Sequence, residues 1–232
     1  MNTFFGGDYY EDKSELYRRQ LNRTYGIMAL GLTLTFVFAI LTAWFAPALI
    51  LSFPLAMILL IAQVITVVSF SNMLHRAKFG TVLAMFIAYS ILTGISISYV
   101  FVLYDLSNIF LCFAAAALCF AILAILGHST RRDLSSLGKY FLVGLIGLLL
   151  LTLVGYFIRS TGFEILICCI GLVLFLGITA YDTQRLRQFA EQYGEGDEEM
   201  AQKVSIYFAM QLYLDFINIF LYIIRLFGRQ RR

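Results

Sequence analysis

The sequence is poor in charge, proline and histidine, and each shortage excludes a class of protein. Charged residues make up only 13% of the 232 residues, about half the share found in soluble domains. Two prolines exclude a proline-rich linker protein, and a net charge of +3 is too small to indicate nucleic-acid binding. The two histidines and four cysteines form neither H-E-x-x-H nor C-x-x-C, so no zinc site is predicted.

Enzyme motifs are also missing. The chain has no glycine-rich phosphate loop, no G-x-S-x-G and no nucleophile paired with a base at a recognisable spacing. Its last apolar run contains no lysine that could hold a retinal-type cofactor. We therefore expect neither an enzymatic activity nor a bound cofactor.

Long apolar runs dominate what is present. Apolar residues make up 61% of the chain and the mean hydropathy is +0.84, well above soluble values. Seven runs of about 20 residues lack two-residue alternation, which indicates membrane helices rather than strands. They are roughly Tyr25–Phe45, Ala48–Phe70, Phe79–Phe101, Asn108–Gly127, Lys139–Ile158, Phe163–Tyr181 and Val204–Ile224. The sequence predicts an all-α polytopic membrane protein, a seven-helix bundle at 25–228 between an N-terminal segment (1–24) and a basic tail (229–232).

Basic residues set the expected orientation, because lysine and arginine concentrate in cytosolic loops. They cluster in the N-terminal segment and in the second, fourth and sixth connectors, whereas the first and third connectors have none. This pattern predicts a cytosolic N-terminus. The tail conflicts with it, since four arginines follow the seventh run: Arg225, Arg229, Arg231 and Arg232. Either the early helices fix the topology, which we favour, or the last segment does not cross completely.

Two aspartates are the clearest functional candidates among the ionisable residues in or beside the apolar runs. Asp215 lies inside the seventh run, and Asp182 directly follows the sixth. In an antiparallel hairpin, residues at equal depth have numbers with a constant sum. The midpoint of this pair falls in the acidic turn around Gly194–Glu199, and no proline or glycine interrupts Asp182–Tyr193. We therefore expect the sixth helix to continue past Asp182 and the two carboxyl groups to face each other.

A polar stripe accompanies Asp215 on the seventh run. Successive spacings of four, four, three and four residues place its members on one helical face: Tyr207, Gln211, Asp215, Asn218 and Tyr222. Such a stripe belongs inside a bundle or along a water-accessible cavity. Gln211 and Asn218 are therefore candidate supporting residues.

Two carboxyl groups in one poorly solvated site cannot both ionise cheaply, so at least one is expected to keep its proton to a higher pH than usual. Once both are ionised, they repel each other or take up a divalent cation, and oxygen ligands suit calcium. The alternative is a purely structural role, in which a buried acid locks two helices together.

The segments GITAYDTQRLRQ and LYLDFINIFLYIIRLFG, with the turn HSTRRDLSSLG, closely resemble the bacterial branch of the Bax-inhibitor family. The resemblance implies a bundle with the last helix central and a di-aspartyl pH sensor formed by Asp182 and Asp215. It also implies a pH-gated calcium leak channel in the bacterial inner membrane, with calcium and protons as ligands. A basic residue after the second helix, His75 or Arg76, would pair with the aspartates. Some members carry an acid where this chain has Gln63, which weakens the calcium assignment.

The resemblance also suggests a regulatory role, because bacterial relatives are known as partners of a membrane-anchored ATP-dependent protease. The N-terminal segment, rich in aromatic residues and in charges of both signs, would then serve as a docking arm. An ordinary solvated tail explains the same composition, and we favour that interpretation.

Overall fold

The computed structural model describes the backbone of residues 5–46, 53–73, 76–130, 132–158, 160–192 and 198–229, and most side chains from residue 15 onward. Its long elements are all helices. They are α1 (Phe5–Phe45), α2 (Phe53–Met73), α3 (Phe79–Ile97, continued by Tyr99–Leu103), α4 (Leu106–Ser129), α5 (Gly138–Ile158), α6 (Thr161–Gln192) and α7 (Glu198–Phe227). His75, the start of the second predicted run and most of the acidic turn lie outside the described residues.

Six of these helices are long and apolar enough to cross a membrane. The described apolar part of α2, Pro54–Phe70, is shorter, so a seventh crossing stays a prediction. Many exposed side chains of the long helices are large and apolar, as on α5, where Val143 and Leu149 are 68% and 70% exposed. Exposed apolar side chains in such numbers are unusual on a soluble protein and suit contact with lipid.

Contacts within the chain divide it into two compact units, Met1–Tyr99 with Leu186–Gln211, and Val100–Arg185 with Leu212–Arg232. In the first unit α3 packs against α1 and α2. A Cβ atom on Gly94 would overlap the carbonyl oxygen of Thr35, so α1 and α3 approach closely there. The Thr35 hydroxyl donates to the Ser90 carbonyl at 2.9 Å and adds a polar contact between the same helices.

Side chains in the first turns of α7 contact the connector between α2 and α3 and the start of α3. Lys203, only 9% exposed, donates to the Ala77 carbonyl at 3.2 Å and lies 3.6 Å from the Glu199 carboxylate. That carboxylate also accepts the Phe79 backbone N–H at 3.4 Å, at the start of α3. A carboxylate is favoured at a helix N-terminus, where backbone N–H groups lack partners.

The N-terminal segment is helical and packs against α7. Helix α1 begins at Phe5 and runs without a break through the predicted boundary at residue 24. The Gln20 side chain accepts a hydrogen bond from the Ser205 hydroxyl, and Arg19 lies 3.5 Å from Glu198. Gln20 is therefore bound to the start of α7, whereas Arg19 is exposed and its ion pair lies at the surface, so the interpretation as a solvated tail stays a prediction.

In the second unit, aromatic rings pack α7 against α4 and α6. The Phe216 ring lies 5.2 Å from the Phe113 ring and 5.8 Å from the Phe120 ring of α4. Tyr222 lies 6.0 Å from the Phe175 ring of α6. The apolar stretch of α7 is 72% buried, against 11–44% in the other spans, which is the burial expected of a central helix. Polar groups on α7 are therefore largely shielded from lipid.

Candidate functional site

The two predicted aspartates lie close together in the second unit. Asp182 on α6 is 5% exposed and Asp215 on α7 is 3% exposed. The charge of Asp182 acts directly on Asp215. Helix α6 runs ten residues past Asp182 to Gln192, as the absence of proline and glycine predicts. Two neighbouring helices thus bring both carboxyl groups into one buried site.

One carboxyl oxygen of this site has no partner. Asp215 Oδ2 is buried and receives no hydrogen bond from the part of the chain that the structure describes. A buried oxygen of this kind is costly unless a proton, a water molecule or a cation satisfies it. Thr179, one turn before Asp182 on α6, lies near enough to Asp215 to influence its carboxyl group. Its hydroxyl hydrogen points to the Phe175 carbonyl at 2.8 Å, which leaves the Thr179 oxygen as an acceptor.

The other polar residues of α7 bond mainly within the helix. Gln211 Nε2 donates to the Tyr207 hydroxyl at 2.9 Å, and the half-buried Asn218 donates to the Leu214 carbonyl at 2.8 Å. Gln211 Oε1 is buried without a partner among the described residues. Gln211 therefore has an acceptor to offer, whereas the Asn218 amide is engaged with the backbone.

A basic residue acts on Asp182, and sequence reasoning missed it. Arg185 follows Asp182 by one helical turn, and its positive charge interacts with the carboxylate. The Arg185 guanidinium also lies over the Tyr181 ring, 5.5 Å from its centroid. The i, i+3 spacing was the signal that could have revealed this pair. Of the two predicted candidates, Arg76 is exposed in the first unit and His75 lies outside the described residues.

Gln184, also missed, fastens α6 to the connector between α4 and α5. Its side chain is 5% exposed. Nε2 donates to the Arg132 carbonyl at 2.7 Å, and Oε1 accepts the Leu134 N–H at 2.8 Å. A free backbone donor and a free acceptor of one connector are thus satisfied by a single amide. The A-Y-D-T-Q segment therefore combines the site carboxylate with the residue that anchors it.

Asp133, in the same connector, has an exposed carboxyl group, in contrast to the buried Asp182 and Asp215. It accepts the Ser135 N–H at 2.9 Å, and the Ser135 hydroxyl and N–H hold the pKa of Asp133 below its usual value. Asp133 is therefore ionised throughout the neutral range. Its charge does not change where a neutral-pH switch would operate.

The chain is similar to several known proteins. Residues 17–232 match the family model described as inhibitor of apoptosis-promoting Bax1. An Escherichia coli protein named inner membrane protein YbhL is 37% identical over 212 residues, covering 90% of this chain and 91% of the relative. A Borreliella burgdorferi protein is 33% identical over 97% of this chain and 98% of its own length. A Streptococcus pyogenes membrane protein is 32% identical over 66% of each chain.

The chain belongs to the Bax-inhibitor family. The match to the Bax-inhibitor model contains Asp182, Asp215 and Gln184, and it begins only at residue 17. The first 16 residues, which include most of the predicted docking arm, therefore lie outside the part that identifies the family.

Among the described residues, no group of three or more His, Cys, Asp or Glu side chains could hold a metal ion. Asp182, Asp215 and the Thr179 hydroxyl supply fewer oxygen atoms than the six to eight that calcium takes.

Proposed function

We propose that this Bax-inhibitor protein is a pH-sensitive calcium leak channel of the bacterial inner membrane, gated by Asp182 and Asp215. The observation that carries the proposal is the meeting of two buried carboxyl groups on neighbouring membrane helices, one with an unpartnered oxygen. Ionisable groups at such positions are expensive and mark ion or proton pathways. We infer no enzymatic activity.

Protonation would close the gate by removing charge from the pair. A protonated Asp215 can share its proton with Asp182. Loss of the proton leaves two like charges in a poorly solvated site, which favours separation of α6 and α7 or entry of a cation. The Arg185 charge beside Asp182 would offset part of this repulsion.

The direct test is calcium flux into proteoliposomes that contain the purified protein, measured from pH 6 to pH 8. The proposal requires flux that changes with pH over this range. Absence of flux at every pH, with folded protein, would leave the aspartates as a structural clasp between two helices.

The proposed orientation places the N-terminus in the cytosol and the end of α7 on the opposite side. Phe227, the last residue of α7, is 74% exposed, as expected for an aromatic side chain at the membrane interface. In a cysteine-free background, we expect Arg229→Cys in spheroplasts to react with a membrane-impermeant thiol reagent. Lys78→Cys, between α2 and α3, should react only after the membrane is opened. Equal labelling of both in intact spheroplasts would contradict seven crossings.

A second candidate function is regulation of a membrane-anchored ATP-dependent protease. The observation in its favour is that α1 extends from the apolar region back to Phe5, and so presents a charged helical arm outside the family match. Removal of residues 1–14 spares Arg19 and Gln20, which contact α7. We expect this truncation to leave calcium flux unchanged and to abolish any protease association in a co-purification assay. Lost flux with retained association would contradict both assignments, because the arm would then serve the channel and not the protease.

A further inference from the structure

We propose that Arg132, in the connector between α4 and α5 (residues 130–137), and Lys139, at the start of α5, bind the headgroups of anionic phospholipids, and that Gln184 transmits this binding to the segment of α6 that carries Asp182. The inference goes beyond the proposed channel function, because it assigns an effector site and a route from that site to the aspartates. It is carried by the charge of the connector and by the two hydrogen bonds of Gln184.

The connector lies where a headgroup would meet it. It joins two helices that are each long and apolar enough to cross the membrane, so it must lie at the bilayer surface. Arg132 and Lys139 are exposed, and Arg131 adds a third basic residue in the sequence. Tyr140, 71% exposed at the start of α5, is a side chain typical of the membrane interface. Clustered basic residues beside membrane helices attract anionic lipids.

The single acidic residue of the connector is already engaged. Asp133 accepts hydrogen bonds from Ser135, within the connector itself. Asp133 nevertheless keeps its negative charge, so the three basic residues Arg131, Arg132 and Lys139 leave this stretch of sequence with a net positive charge. Phosphate groups of phosphatidylglycerol fit this requirement, because guanidinium and ammonium groups bind phosphate strongly.

Arg132 joins the charged surface to the interior. Its guanidinium belongs to the exposed face, whereas its own carbonyl accepts the Gln184 amide at 2.7 Å. The second Gln184 bond, to the Leu134 N–H at 2.8 Å, fixes the orientation of the amide. Gln184 follows Asp182 by two residues on the same rigid helix. A headgroup that restrains Arg132 therefore restrains this turn of α6 as well.

A glycine strengthens the same coupling. A Cβ atom on Gly138 would overlap the hydroxyl oxygen of Tyr181, so the first residue of α5 lies directly against α6. Tyr181 is the residue before Asp182, and the Arg185 guanidinium lies over its ring. The connector and the start of α5 thus contact α6 on both sides of Asp182 in sequence, at Gln184 and at Tyr181.

The test is hydrogen–deuterium exchange of the full-length protein in nanodiscs of phosphatidylcholine, with or without phosphatidylglycerol. The readout is the Leu134 amide, which donates to Gln184. We expect phosphatidylglycerol to slow its exchange about fivefold, the factor that one basic residue near an anionic surface contributes. The variant that combines Arg132→Gln with Lys139→Gln should lose this response. Arg229→Gln, which removes one positive charge at an exposed position beyond the end of α7, should keep it.

Gln184→Met tests the two Gln184 hydrogen bonds separately from lipid binding, because methionine keeps the side-chain length but can form neither bond. We expect the Leu134 amide to exchange about fivefold faster in this variant, and equally fast in both lipid compositions. Bound phosphatidylglycerol, counted by native mass spectrometry, should remain at the native level. Gln188→Met, the same substitution at the next glutamine of α6, is the matched control and should behave as the native protein.

Several outcomes would overturn the inference. They are equal exchange in the two lipids for the native protein, a native lipid response in Gln184→Met, and the same slowing by inorganic phosphate over phosphatidylcholine alone. If Gln184→Met does not fold, the pair of charge variants still decides whether the connector responds to the lipid. None of these readouts needs ion flux, so absence of calcium transport would refute the channel and leave this inference intact.

Discussion

Asp215→Asn is expected to abolish the pH dependence of calcium flux in proteoliposomes between pH 6 and pH 8. Asparagine keeps the shape and the hydrogen-bonding capacity of a protonated aspartate but cannot ionise. Asp215 is 3% exposed and interacts with Asp182, so its loss removes the charge pair on which the gate depends. The remaining carboxyl group would then titrate without a like charge beside it. We expect Asp182→Asn to give the same loss for the same reason.

The matched control for this experiment is Asp133→Asn. Asp133 has the same chemistry but lies exposed in the connector, where Ser135 keeps it ionised at neutral pH. Its substitution should leave the pH profile of calcium flux unchanged. If Asp182→Asn and Asp215→Asn each retain the native profile, the di-aspartyl gate is wrong, and the buried pair serves only to hold α6 and α7 together.

The pairing of the aspartates could be predicted because it depends on local rules. Hydropathy locates the last two helices, and the uninterrupted sequence after Asp182 extends α6 to Gln192. With helix geometry fixed at about 1.5 Å per residue, an antiparallel hairpin then determines which residues lie at equal depth. The structure adds that both carboxyl groups are buried, which hydropathy left open for Asp182 because of its place at the edge of an apolar run.

Contacts between distant parts of the chain could not be predicted in this way. Gln184 bonds to residues about 50 positions earlier, and Lys203 bonds to the Ala77 carbonyl 126 positions earlier. In the sequence, Lys203 counts only as a charge in a connector, although its side chain is largely buried. Both residues satisfy backbone groups of loops, a role for which composition and periodicity carry no signal. Such partners follow only from the tertiary fold.

Gly127→Ala is expected to destabilise the protein by about 1–3 kcal/mol, the range for overpacking in a closely packed interior, and to lower its melting temperature by about 2–10 °C. A Cβ atom on Gly127 would overlap the carbonyl oxygen of Ala180, a backbone atom that cannot rotate away. Helices α4 and α6 must therefore separate, and the displacement falls two residues before Asp182. Gly147→Ala on α5, where nothing lies within 4 Å of the added atom, is the matched control and should be neutral or slightly stabilising. Thermal unfolding in detergent compares the two variants. Equal melting temperatures would show that α4 and α6 do not need the close contact that positions Asp182 beside Asp215.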